Sequence, residues 1–174
     1  PVQAGDLDNS DTHKVERLIS NSMTTFHKNS YALNSPMSPH AAAEIDSINI
    51  DLKKIKRPKT NRDLVIEGAG GLLVPLNNKS TILDLIQPDD CVILVSRHYL
   101  GSINHTLLSI EMLKSRGIEN IKIIFSGDEH QSTEQAIQDH SGIEVLGRIE
   151  QEPYFDKNVV LEYAEKWKEK LCKK

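Results

Sequence analysis

The sequence predicts an α/β fold built on a mainly parallel sheet with helices on both faces. Three observations carry this. Short apolar runs alternate with longer amphipathic ones. One short run, Cys91-Val92-Ile93-Leu94-Val95, has no polar alternation, as expected of a strand covered on both faces. Glycine-bearing turns follow two of the runs, where a parallel sheet places its ligands.

The elements follow in order. Ser10 is placed to cap a helix carrying Val15, Leu18 and Ile19 on one stripe. Residues Thr24–Pro39, rich in Ser, Asn and Pro, read as an irregular loop whose size marks it as functional. Ser38 then caps an alanine-rich helix, because proline suits the first helical position. Strands are predicted at Leu64–Ile66, Cys91–Val95, Ile121–Phe125 and Glu144–Leu146. A helix opening at Ser102 turns Ile103, Leu107, Ile110 and Leu113 toward a core. Further helices fit Thr133–Asp139 and Val159–Leu171, the latter with Glu and Lys interleaved on its wet side. Strands alternating with such helices give a parallel sheet. No repeat or linker interrupts residues 1–174, which read as a single domain.

With 38% hydrophobic and 26% charged residues, the chain has the balance of a globular protein. Its net charge of −4 argues against a nucleic-acid partner. The basic run Lys53, Lys54, Lys56, Arg57 and Lys59 reads as a solvated face. Cys91 and Cys172 show no C-x-x-C pairing, so neither a disulfide framework nor a zinc site is expected. No apolar run reaches the roughly 18 residues of a membrane span, and no signal-peptide pattern opens the chain. A cytoplasmic protein without a membrane partner is the expectation.

Four segments carry candidate chemistry. Val65-Ile66-Glu67-Gly68-Ala69-Gly70-Gly71 runs from an apolar stretch into an acid and glycines. A carboxylate at the end of a strand can hold Mg²⁺, and glycines let the backbone approach a ligand. An ordinary glycine turn with a surface glutamate explains the same residues. Leu100-Gly101-Ser102-Ile103-Asn104-His105 puts a helix N-terminus at the same sheet edge, where free N–H groups favour an anion; a capped helix that binds nothing is the alternative. Ser38-Pro39-His40 offers a histidine that is either a base or a structural residue. Asp11 at a helix start either complements the dipole or ligates Mg²⁺. The remaining histidines, His98, His105 and His130 among them, have no ligand spacing and receive no role.

Taken together, and in this order, Pro1-Val2-Gln3-Ala4-Gly5, Asp11, Ser38-Pro39-His40, Glu67-Gly68-Ala69-Gly70-Gly71 and Gly101-Ser102-Ile103-Asn104-His105 resemble the dethiobiotin synthetase family. The resemblance runs from Pro1 to at least Gly147 and implies a P-loop NTPase-like fold. It implies ATP-dependent carboxylation and ring closure of 7,8-diaminononanoate with CO2 to dethiobiotin, in biotin synthesis. By the resemblance, Asp11 and Glu67 hold Mg²⁺, and Glu67, Gly68, Ala69 and Gly70 lie along the ATP phosphates. Ser126 and Gly127 occupy the nucleotide-base segment, where the family has an asparagine. Gly101, Ser102 and Asn104 resemble the clamp for the diamine's carboxylate, and Ala4 stands where a substrate-binding serine is usual. Glu150 replaces a usual proline. A homodimer is implied as well.

The family opens with a strand, a Walker-type loop and a lysine, which the reading expects to be absent here. The lysine would precede Pro1, so no catalytic residue is assigned within the chain, and turnover is expected to fail. Alternatives are a related P-loop amide ligase of cobalamin synthesis, or a non-catalytic remnant binding the precursor or a partner.

Overall fold

The computed structural model describes residues 1–171; Cys172 lies outside the described residues. The chain divides into two compact units, one spanning Pro1–Ile86 and the other starting at Gln87.

The first unit opens on strand β1 (Val2–Ala4), which pairs in parallel with β2 (Tyr31–Leu33) in the register Val2↔Tyr31 and Ala4↔Leu33. Parallel strands need a crossover, and the segment between them carries helix α1 (Asp11–Leu18). This corrects the fold class expected above in its N-terminal part: a strand is present at the start of the chain, and its ladder with β2 makes a parallel pair. Both strands were hidden in the sequence because three residues are too few to show alternation. β2 lies inside the stretch read as an irregular loop. Helix α2 (Pro39–Ile45) follows Ser38 with Pro39 at its first position, as expected, but the Ser38 side chain makes no capping hydrogen bond. Val2, Leu33, Ala42, Ala43, Ile50, Leu76 and Ile82 form the buried core.

The strand expected at Leu64–Ile66 does not form, and Val65 is 94% exposed. An apolar triplet gains nothing from extension unless a neighbouring strand takes up its N–H and C=O groups. In the basic run, Lys53, Lys54, Lys56 and Lys59 are exposed, as expected of a solvated face. Arg57 is half-buried and donates from Nη2 to the Leu85 carbonyl at 2.8 Å.

The second unit alternates β3 (Val92–Arg97), α3 (Ser102–Ser115), β4 (Ile121–Ser126), α4 (Gln131–Ser141), β5 (Glu144–Ile149) and α5 (Lys157–Leu171). The strands pair in the order β3-β4-β5, all parallel. Central β4 buries Ile121, Ile123, Ile124 and Phe125. Ile124 and Leu146 pack against Trp167 of α5, while on the opposite face the Phe125 ring meets His98 at 5.4 Å. The β4–β5 ladder is irregular: Ile123 faces Val145 but Ile124 faces Gly147, so Leu146 is an extra residue. α4 ends on Gly142, whose φ of 64° suits glycine.

Two details differ from expectation. β3 is the end strand of its sheet and leaves Ile93 and Val95 exposed, so it is not covered on both faces. Cys91 lies just before it, exposed. On α3 the buried stripe is Ser102, Thr106, Ile110 and Leu113, while Ile103 is exposed. A buried hydrogen bond between Ser96 Oγ and Thr106 Oγ1, 2.8 Å long, sets that rotation. Among the described residues, no helix is long and apolar enough to cross a membrane.

Candidate functional site

In the first unit, Ala4 ends β1 and the chain turns sharply. Gly5 has φ of 72°, and a Cβ there would fall 2.5 Å from Pro36 Cβ. Its N–H donates to the Leu33 carbonyl at 2.8 Å, which ties the turn to β2. Asp6 follows at φ 49°. Asp11 is the first residue of α1, where its charge complements the dipole. Its exposed carboxylate accepts from Lys14 Nζ at 3.2 Å.

The Glu67–Gly71 stretch is an exposed loop rather than a strand end, because no strand precedes it. Its glycines have local reasons. A Cβ on Gly68 would come 2.9 Å from Ile82 Cγ2, and Gly70 has φ of 84° with Val74 at 3.0 Å from such a Cβ. Ala69 packs against the core and anchors the loop. The Glu67 carboxylate lies near Pro1, close enough to act on it electrostatically. This relates the loop to the start of β1. His40 donates its backbone N–H to the Pro75 carbonyl at 3.3 Å, and its Nδ1 is buried without a hydrogen-bond partner.

Asp11 and Glu67 are hard oxygen donors of the kind Mg²⁺ prefers, and the ion needs only one or two protein carboxylates beside phosphate and water. Among the described residues, no group of three or more His, Cys, Asp or Glu side chains converges on a metal position.

In the second unit, Gly101 precedes α3 with φ of 104°, Ser102 is buried, and Asn104 is exposed. The loop leading there is held from several sides. The Tyr99 hydroxyl bonds His105 Nδ1 at 2.8 Å, the Ser102 N–H donates to the Tyr99 carbonyl at 2.9 Å, and His105 N–H to Gly101 at 3.0 Å. A cavity of about 450 Å³ opens on the loop, lined by His98, Gly101, Ser102, His130 and Thr133 among others. With the Ser102 N–H committed to Tyr99, an anion at this helix start, at the carboxyl edge of a parallel sheet, would meet the N–H groups of the two residues after it.

Ser126 ends β4, and Gly127 follows at φ 97°, donating its N–H to the Ile149 carbonyl at 2.8 Å. Glu150 donates its N–H to the Tyr163 hydroxyl at 2.9 Å and pairs with Arg148 Nε at 3.5 Å.

Sequence reasoning missed a buried polar network in this unit. His98 Nε2 donates to Glu134 Oε1 at 2.8 Å, and Arg148 Nη2 donates to Glu134 Oε2 at 2.9 Å. These residues lie far apart in sequence on three elements, so no local spacing reveals them. Their one shared sign is polar character near the carboxyl ends of strands.

A family profile described as an AAA domain matches residues 1–159. The chain is 68% identical to the ATP-dependent dethiobiotin synthetase BioD of Christiangramia forsetii over 99% of its own length and 83% of that protein's. It is 45% identical to the protein of the same name from Cytophaga hutchinsonii, over 95% and 81% of the two chains. It is 39% identical to that of Chlamydia pneumoniae, over 97% and 76%. The profile match takes in residues from 1 onward and includes β1 (Val2–Ala4). This corrects the expectation of a domain lacking its N-terminal P-loop segment, and the expectation of lost turnover that rested on it.

Proposed function

The chain belongs to the ATP-dependent dethiobiotin synthetase family, and from that premise we propose how its residues divide the work. The enzyme is an ATP-dependent cyclo-ligase of biotin synthesis, joining 7,8-diaminononanoate and CO2 into dethiobiotin. One amine is carbamated by CO2, the carbamate oxygen takes the γ-phosphoryl group of ATP, and the second amine displaces phosphate to close the ring. Such phosphoryl transfer rests on positioning and on neutralising charge.

Gly101, Ser102 and Asn104 hold the diamine's carboxylate. The observation that carries this is the start of α3: a glycine in the left-handed region turns the chain, and side-chain and backbone hydrogen bonds hold the turn. N–H groups at such an end meet a carboxylate without reorganising. Ala4 contributes contact with the substrate where a hydroxyl would contribute a hydrogen bond. Glu67, Gly68, Ala69 and Gly70 face the phosphates, the exposed glycine backbone allowing close approach. Asp11 and Glu67 would hold Mg²⁺, which when bound offsets the charge on the phosphates. Ser126 and Gly127 meet the nucleotide base, Gly127 through a backbone already fixed by its bond to Ile149. Residues 1–174 act as one functional domain, in the cytoplasm, and as a homodimer, the commonest symmetric assembly.

The test is a product assay with 7,8-diaminononanoate, bicarbonate and MgATP, run on the wild type and on Asn104→Ala. Dethiobiotin should form, and Asn104→Ala should raise the diamine KM by about tenfold or more, as expected for losing a hydrogen bond to a charged group. The ATP KM should stay within about twofold. An unchanged diamine KM would remove Asn104 from the clamp.

A further inference from the structure

We propose that Glu134, acting through His98, is a positioning residue for the helix start that holds the substrate carboxylate. The inference deepens the reading above and rests on it. Glu134 lies in the first turn of α4 and is buried, with no part in the reaction as described. A buried carboxylate is costly unless paired, and its two oxygens are taken by different elements. Oε2 accepts from Arg148 Nη2 of β5 at 2.9 Å, and Oε1 accepts from His98 Nε2 at 2.8 Å. Glu129 and Glu150 also approach the Arg148 guanidinium, at 3.6 and 3.5 Å.

His98 is the residue directly after β3 and begins the loop that ends at Gly101 and Ser102. Its ring packs on Phe125 at 5.4 Å and lines the cavity that those two residues also line. Its Nε2 is committed to Glu134, and its Nδ1 is buried without a partner. The imidazole is therefore held at one nitrogen only, and Glu134 is what fixes it. Buried charge-assisted hydrogen bonds hold together the elements they join, although His98 Nδ1 and Arg148 Nη1 have no partner here. Here the joined elements are α4, β5 and the β3–α3 loop, so the network sets where the first N–H groups of α3 point. A shift of about 1 Å in such a group can cost on the order of 100-fold in the reaction it serves.

The experiment compares four variants with the wild type in the product assay, with thermal melts alongside. His98→Phe keeps a ring on Phe125 but removes the donor to Glu134. Glu134→Ala removes the anchor, while Glu134→Gln keeps an acceptor for His98. The fourth variant combines His98→Phe with Glu134→Ala. His98→Phe and Glu134→Ala should each raise the diamine KM by about tenfold, leaving kcat and the ATP KM within about twofold. Glu134→Gln should restore most of the loss, and the double variant should be no worse than either single one, because coupled residues are not additive.

Additive effects in the double variant would overturn the idea that Glu134 acts through His98. A uniform loss of kcat and both KM values with a collapsed melt would assign the network to stability alone and overturn the proposal. If Asn104→Ala raises the diamine KM but His98→Phe does not, the positioning role falls and the carboxylate clamp stands. If neither variant moves it, both readings fall.

Discussion

The indole of Trp167 lies directly over the backbone of Gly147, so that a Cβ built on this glycine would stand 2.5 Å from Nε1 and 2.9 Å from Cε2. Trp167 is itself only 6% exposed and is packed with Ile124 and Leu146. The ring therefore has no free space to move into.

Gly147→Ala should consequently destabilise the protein by about 1–3 kcal/mol, the range for overpacking a core. Urea unfolding followed by far-UV circular dichroism should show a lower midpoint with an unchanged slope. Replacing Trp167 by Phe in the same chain should recover part of the loss.

Gly101→Ala tests the turn before α3. A Cβ there would meet nothing closer than His105 Cε1 at 3.6 Å, so the cost is conformational and comes from φ of 104°. Placing an L side chain at such an angle costs about 1–3 kcal/mol. The expected result is a diamine KM raised by about tenfold or more, with ATP binding unchanged and a modest drop in melting temperature.

Asp11→Asn and Glu67→Gln should each raise the Mg²⁺ concentration needed for half-maximal turnover and leave the diamine KM near the wild-type value. The exposure of both side chains means that stability should change by less than about 0.5 kcal/mol. A shift in the diamine KM instead of the Mg²⁺ requirement would assign these carboxylates elsewhere.

The Tyr163 hydroxyl donates to Glu152 Oε1 at 2.6 Å and accepts from the Glu150 N–H. Burial, then the hydrogen bond to Glu152, raise the phenol pKa above its ordinary value. A raised folded-state pKa favours the protonated form in the folded protein. The stability it contributes is therefore complete below the unfolded value near 10 and is lost as pH climbs through the folded value. Tyr163→Phe should lower stability at neutral pH, toward the lower end of about 0.5–1.5 kcal/mol because water screens the site. Melts above about pH 10 should then show a smaller alkaline decline for the variant than for the wild type.

Much of the second unit was legible in its sequence, because length and periodicity there agree with packing. β4, α3 and α5 begin or end within a few residues of their expected limits, and Ile110 and Leu113 are buried as their spacing requires. The first unit was harder. β1 and β2 span three residues each, and what makes them strands is the ladder between them, a relation across 29 positions of sequence (from Val2 to Tyr31) that no local window holds. The apolar triplet at Leu64–Ile66 misled for the converse reason, having the right residues and no ladder partner. At the candidate site, Gly101 and Ser102 were readable because a helix start is a local event. The pairing of His98 with Glu134 was not, since it depends on three strands and two crossovers being in place.

The extra residue in β5 has a consequence for side-chain parity. Paired residues on adjacent strands share a face of the sheet. Without Leu146 as an insertion, position 148 would pair with Ser126 and share the face of Ile124, toward Trp167. With it, Arg148 pairs with Phe125 and turns to the face where His98 and Glu134 wait. Parallel ladders rarely carry such an irregularity. In this one a single backbone step decides whether a guanidinium is delivered to a carboxylate or driven into an apolar cluster. Drawing Leu146 into the ladder would thus act as an inversion of sidedness, with every side chain still present, whereas removing it outright would keep Arg148 opposite Phe125.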